Sequence, residues 1–190
     1  VNSVFSYFFS IIFFFSISFF PSLASAKETA GKLYEVAKKD YYSLKSSKRK
    51  QADKSNWTKS IYKFLSVYRQ FPGSSVADDA LFTVGMLYYD SFKHFGKKGD
   101  RNSAIKYYKM VSEKYSRSRL ADDAIFRIGD IYFYDLKKYS EAKKSYSKIK
   151  KKFSKGDMYK LAEKRLKSMS SFYSDQAPSP GKEIVKKIIV

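Results

Sequence analysis

Few residues of this chain have the types and spacing that chemistry requires. There is one histidine, His94, and no cysteine, so a thiolate metal site and a cysteine nucleophile are excluded, and a lone imidazole cannot assemble a zinc centre. His94 precedes Phe95-Gly96-Lys97, which reads as a solvent-facing helix end. The pairs Asp78-Asp79 and Asp122-Asp123 have the composition of an acid/base couple. Each pair falls in the first turn of a helical pattern, however, where negative charge meets the positive end of the helix dipole. Gly85 and Gly129 stand singly in helical sequence and form no phosphate loop; a missing side chain there lets a neighbouring helix approach. The expectation is that the residues present hold no catalytic, cofactor-binding or metal site.

The elements that carry these residues recur. Ala77-Asp78-Asp79-Ala80-Leu81-Phe82 returns 44 residues later as Ala121-Asp122-Asp123-Ala124-Ile125-Phe126, and the likeness runs on to Tyr89 and Phe133. A second pattern, Ala104, Tyr108, Val111 and Tyr115, returns as Ala142, Tyr146, Ile149 and Phe153. Its steps of 4, 3 and 4 place these residues on one helical face. Phe71-Pro72-Gly73-Ser74, Tyr115-Ser116-Arg117-Ser118 and Phe153-Ser154-Lys155-Gly156 punctuate the helices, and Ser74 or Ser118 can cap the next one. Ser75 and Asp78 have capping-box spacing. The spacing predicts about seven helices, near 28–46, 55–71, 75–95, 101–115, 119–137, 140–153 and 157–172: an all-α solenoid of helical hairpins.

The two alternating patterns resemble the tetratricopeptide repeat, in which a small residue at position 8, an aromatic at 11, alanine at 20 and an aromatic at 24 recur. Gly85, Tyr88, Ala104 and Tyr108 fill these places in one copy, and Gly129, Tyr132, Ala142 and Tyr146 in the next. The first copy carries an insertion of several residues and the second an insertion of one. The resemblance implies a concave groove, for which the candidate residues are Phe82, Met86 and Tyr89 with Phe126, Asp130 and Phe133; the competing reading packs them against the first or last helix. A protein or peptide is the expected groove partner.

Outside residues 27–172 the composition changes. Val4 to Phe20 is an uncharged apolar run, followed by Pro21 and Ala24-Ser25-Ala26, which predicts a signal peptide over 1–26 and export. Residues 173–190 are expected to be a linker, Gln176-Ala177-Pro178-Ser179-Pro180-Gly181, and a strand start, Ile184-Val185-Lys186-Lys187-Ile188-Ile189-Val190, from which the native chain is expected to continue. The formal charge is +20, all of it beyond residue 26 and thickest at Lys137-Lys138, Lys143-Lys144 and Lys150-Lys151-Lys152. An anionic wall or membrane polymer is therefore a second expected partner. Export argues against nucleic acid.

Ala37-Lys38-Lys39-Asp40-Tyr41-Tyr42, Asn56-Trp57, the Phe-Pro-Gly-Ser turn, Lys155-Gly156-Asp157-Met158 and the basic-apolar tail also resemble the amino-terminal helical region of certain bacterial N-acetylmuramoyl-L-alanine amidases. That resemblance implies a non-catalytic periplasmic module ahead of a zinc amidase domain absent from this sequence. The alternative is a free-standing periplasmic scaffold of the Tol-associated type.

Overall fold

A computed structural model describes residues 23–176, with side chains from 29 to 170. The described residues are helical and contain no strand. In chain order the elements are α1 (Leu23–Lys45), α2 (Lys48–Ala52), α3 (Lys54–Gln70), α4 (Ala77–Phe95), α5 (Lys98–Lys114), α6 (Ala121–Asp130) running into a π turn (Ile131–Asp135), α7 (Tyr139–Lys152) and α8 (Tyr159–Gln176). Apart from the short α2, successive helices pair as antiparallel hairpins and each packs mainly on its sequence neighbours, the one-dimensional arrangement of an α-solenoid. Among the described residues no helix is long and apolar enough to cross a membrane.

The apolar faces read from the sequence are the ones buried. One core cluster runs from Ala37 and Trp57 through Phe64, Leu81, Val84 and Tyr108 to Ala124, Ile128 and Ile131. A second joins Ile125 and Phe126 to Tyr146, Ile149, Ala162 and Met169. Helix α6 serves both, with one face turned to α5 and the other to α7 and α8.

Four expectations need correction. The segment 48–52 is a separate helical turn, capped by Ser47, whose Oγ accepts the Lys50 N–H. Asp53 then caps α3 by accepting from the Ser55 N–H at 2.8 Å. The capping box at Ser75 and Asp78 does not form: α4 follows Val76 without a side-chain cap, and Asp78 instead accepts from the Ser118 hydroxyl at 2.5 Å. Neither turn serine caps as expected. Ser118 accepts the Leu120 N–H at 3.0 Å within its own turn, while the buried Ser74 Oγ has no partner among the described residues. Helix α5 starts at Lys98 rather than 101, and α8 continues to Gln176 rather than ending at 172. The leader expected over 1–26 falls outside the described residues except for its last four positions, which open α1, and the linker and strand start beyond 176 lie wholly outside them.

The repeat glycines set the distance between helices. A Cβ on Gly85 would stand 2.7 Å from the Tyr108 ring, and one on Gly129 would stand 2.6 Å from the Tyr146 ring. Both tyrosines are fully buried, as are Ala104 and Ala142 on the same helix faces. Alanine gains about 1 kcal/mol over glycine in a helix interior, but forcing atoms into a packed core costs about 1–3 kcal/mol. The buried ring cannot swing away, so the second effect wins. We therefore expect Gly129→Ala to lower the thermal unfolding midpoint by several degrees, and the loss to shrink when Tyr146→Leu is added. An unchanged or raised midpoint in the single variant would show that the contact is slack.

Candidate functional site

The helices fall into two rows, α1, α4, α6 and α8 in the first and α3, α5 and α7 in the second, with polar contacts along the first row and between α3 and α5 in the second. In the first row Lys45 pairs with Asp90 at 2.8 Å, the Tyr89 hydroxyl donates to Asp135 at 2.9 Å, and Arg165 donates to Asp130 at 3.1 Å. In the second row Lys114 donates to the Tyr68 hydroxyl at 2.9 Å.

Between α4 and α6, on the first row, lies a cleft of about 310 Å³ lined by Tyr89, Lys93, Tyr108, Arg127, Asp130, Ile131 and Tyr134. Of the six candidate groove residues, Tyr89 and Asp130 line it. The others lie elsewhere in the packing. Phe82 meets the Tyr108 ring at 5.3 Å and Phe126 meets the Tyr146 ring at 5.5 Å; Phe133 meets Tyr134 and Tyr139; Met86 is half-buried against the first core cluster. Asp130 takes the place that Met86 has in the preceding repeat, and there it accepts from the Tyr146 hydroxyl at 2.7 Å as well as from Arg165. Burial first, and then the bond to Asp130, push the Tyr146 phenol well above the usual tyrosine range. It therefore remains a proton donor at any physiological pH. Arg165 also lies over the Phe126 and Tyr134 rings, 5.8 and 5.2 Å from their centroids.

Arg127 and Tyr134 are lining residues that sequence reasoning missed. Their only signal was position: Arg127 follows Phe126, and Tyr134 follows Phe133 on the π turn. Arg127 is exposed and Tyr134 is 45% exposed. The π turn has a cause in the numbering. Ala142 stands 13 positions after Gly129, one more than the offset between positions 8 and 20 of the repeat pattern, and a single inserted residue widens an α-helix into a π turn. The Leu136 N–H reaches back five residues to the Ile131 carbonyl, at 3.1 Å, and Lys137 turns the chain with φ 55°. A uniform helix over 119–137 was the expectation; the turn displaces its end and brings Tyr134 to the cleft.

The other sequence-selected groups take structural places. His94 is exposed, its ring 6.0 Å from that of Trp57. Asp78 and Asp79 lie in the first turn of α4 and reach forward to the next repeat, through Ser118 and through Arg119 at 2.8 Å. Asp122 does the same one repeat on. It is buried, and its Oδ2 faces the Met158 N–H at 3.4 Å, ahead of α8. Gly156 has no room for a side chain against that carboxylate. Asp122, Asp123 and Asp157 each bring an oxygen within 4.8 Å of the others.

Residues 123–156 match the tetratricopeptide repeat family model. The chain carries a tetratricopeptide repeat. The match spans most of α6, the π turn, α7 and the turn that follows, and the all-α hairpin stack on either side of it is a tetratricopeptide-like solenoid. A repeat of this kind points to protein–protein interaction and is not itself a catalytic unit. A search of curated proteins finds no match to the chain.

The acidic cluster gives a pH test. Burial, followed by the charges of Asp157 and Asp122, raises the Asp123 carboxyl above the ordinary range. A raised carboxyl holds its proton more tightly in the folded than in the unfolded chain, so its contribution favours folding below the unfolded value of about 3.9 and is lost as pH rises through the folded value. Asp123→Asn should raise the unfolding midpoint at pH 7 and raise it less at pH 4. An equal change at both pH values would mean that the Asp123 carboxyl is not raised in the folded chain.

Proposed function

We propose that this chain is a non-catalytic interaction module in which the first helix row receives a protein partner or peptide at the cleft between α4 and α6. The cleft carries the reading: it is lined by Tyr89, the exposed Arg127 and the exposed Tyr134, with the buried Tyr108 and Ile131 beside them. Its volume is at the low end of ligand sites, suited to one anchoring side chain of a longer segment. Phe82, Met86, Phe126 and Phe133 pack into the two core clusters, while Tyr89 and Asp130 line the cleft.

A narrower reading takes the module as the amino-terminal region of a cell-wall N-acetylmuramoyl-L-alanine amidase, exported to the bacterial periplasm or envelope. It rests on the sequence resemblance, the apolar run before Pro21 and the Ala-Ser-Ala triplet. Reading the gene past Val190 tests it: a domain with two histidines and a glutamate spaced for zinc supports the amidase. A stop codon there would favour the Tol-associated scaffold, whose turn and helix pattern is shared.

The groove is tested with a photo-crosslinking residue in place of Tyr134 in the full chain, and in a second protein in place of Lys106 on the second row. A discrete protein captured from envelope extract at position 134 only, and still captured at 1 M salt, is the expected result. At that salt the Debye length is about 3 Å, so ionic attachment is screened while apolar burial is not. Equal capture at both positions, or capture that disappears with salt, would refute the cleft as the contact.

A further inference from the structure

The positive charge is concentrated in the last hairpin. Residues 137–167 contain thirteen Lys and Arg against three acids, which accounts for half of the net +20. Six of these lysines lie on α7, and among the described residues only Lys150 has a carboxylate within ion-pair distance, Glu163 at 2.9 Å. The buried face of α7 is Ala142, Tyr146 and Ile149. At 100° per residue, Lys143 and Lys150 therefore flank α8, Lys144 and Lys151 point away from the core, and Lys148 and Lys152 turn toward α5.

There they meet a groove. A trough of about 530 Å³ between α5 and α7 is lined by Lys148, Lys152 and Phe153 on one side and by Ser112, Glu113 and Ser116 on the other. Lys148 and Lys152 on its wall stand about 6 Å apart along the helix axis, with Lys144 one turn before them on the outer face of α7. This is a line of cations, not a point charge, and it is the second helix row that presents it, away from the α4–α6 cleft.

We propose that the α5–α7 groove is a docking surface for a flexible, linear phosphate polymer that carries no bases. Regular spacing along one axis fits a chain with charges repeating every few ångströms. A bilayer is too broad to enter a trough. Nucleic acid binding would call for exposed rings beside the cation line on which bases could stack, and the one ring lining the groove, Phe153, is half-buried. Glu113 on the opposite wall opposes an anion; its neutralisation should strengthen binding.

The test uses the full chain and inorganic polyphosphate as the probe. Lys148→Gln with Lys152→Gln should weaken binding at least tenfold and reduce the slope of log affinity against log salt by about 1.4, the value for two lost phosphate contacts on a single-stranded polyanion. Lys39→Gln with Lys59→Gln removes the same charge from exposed positions on α1 and α3 and should cost under threefold. Glu113→Gln should tighten binding, and Glu35→Gln on α1 should do so less. Equal losses in the two lysine pairs would overturn the proposal by reducing it to the general field of the molecule. Vesicles of anionic lipid, or single-stranded DNA of matched charge, bound ten times more tightly than polyphosphate through Lys148 and Lys152, would also overturn it and assign the face to that partner.

Discussion

The fold depends on a contact that excludes a single carbon atom. Gly85 against Tyr108 and Gly129 against Tyr146 bring the two helices of a hairpin so close that a methyl group would collide with a buried ring. The glycine gives up helix propensity in exchange for that approach, and the tyrosine fills the space with a large apolar surface and a polar tip. In the later repeat the tip is used: the Tyr146 hydroxyl reaches Asp130, which in turn takes Arg165 from α8. One intra-hairpin contact is thereby extended to the next helix of the stack.

This constraint accounts for how the chain accommodates repeats of unequal length. The glycine, alanine and tyrosine that meet in each hairpin keep their places, and extra residues are diverted to where they do not disturb them. In the earlier repeat they lengthen α4 to Phe95, where Gly96 with a φ of 70° ends the helix, and they open α5 at Lys98. In the later repeat the single extra residue is absorbed as the π turn. Stacking between hairpins is handled by the turns. Asp78 to Ser118, Tyr115 to the Pro72 carbonyl at 2.6 Å, and Asp122 to the Met158 N–H each tie one interhelix turn to its neighbour.

Much of this was legible in the sequence because it is written as period and residue size. The apolar faces of α3 to α7, the glycine approach, the dipole position of the aspartate pairs and the solvent-facing His94 all follow from local pattern. What escaped depends on partners distant in the chain. Nothing near Asp130 indicates that a residue aligned with Met86 would become an acceptor for Tyr146 and Arg165. Ser75 and Asp78 have the spacing of a cap, yet a serine 40 residues away takes the carboxylate. The short α2 has a capping serine but no apolar period to mark it. Of the candidate site, Tyr89 and Asp130 were found by repeat alignment, whereas Tyr134 entered through the π turn, which a count of residues between Gly129 and Ala142 could have signalled.

In a stack held by neighbours, damage at one hairpin stays near that hairpin. Hydrogen exchange of the full chain with and without Gly129→Ala measures this directly. The account predicts faster exchange across α6, α7 and α8, with α1 and α3 unchanged, because the altered contact is made within one repeat and passed on only to the next helix. Equal acceleration from α1 to α8 would contradict it, since the helices would then form one cooperative unit in which the Gly129–Tyr146 contact has no local meaning.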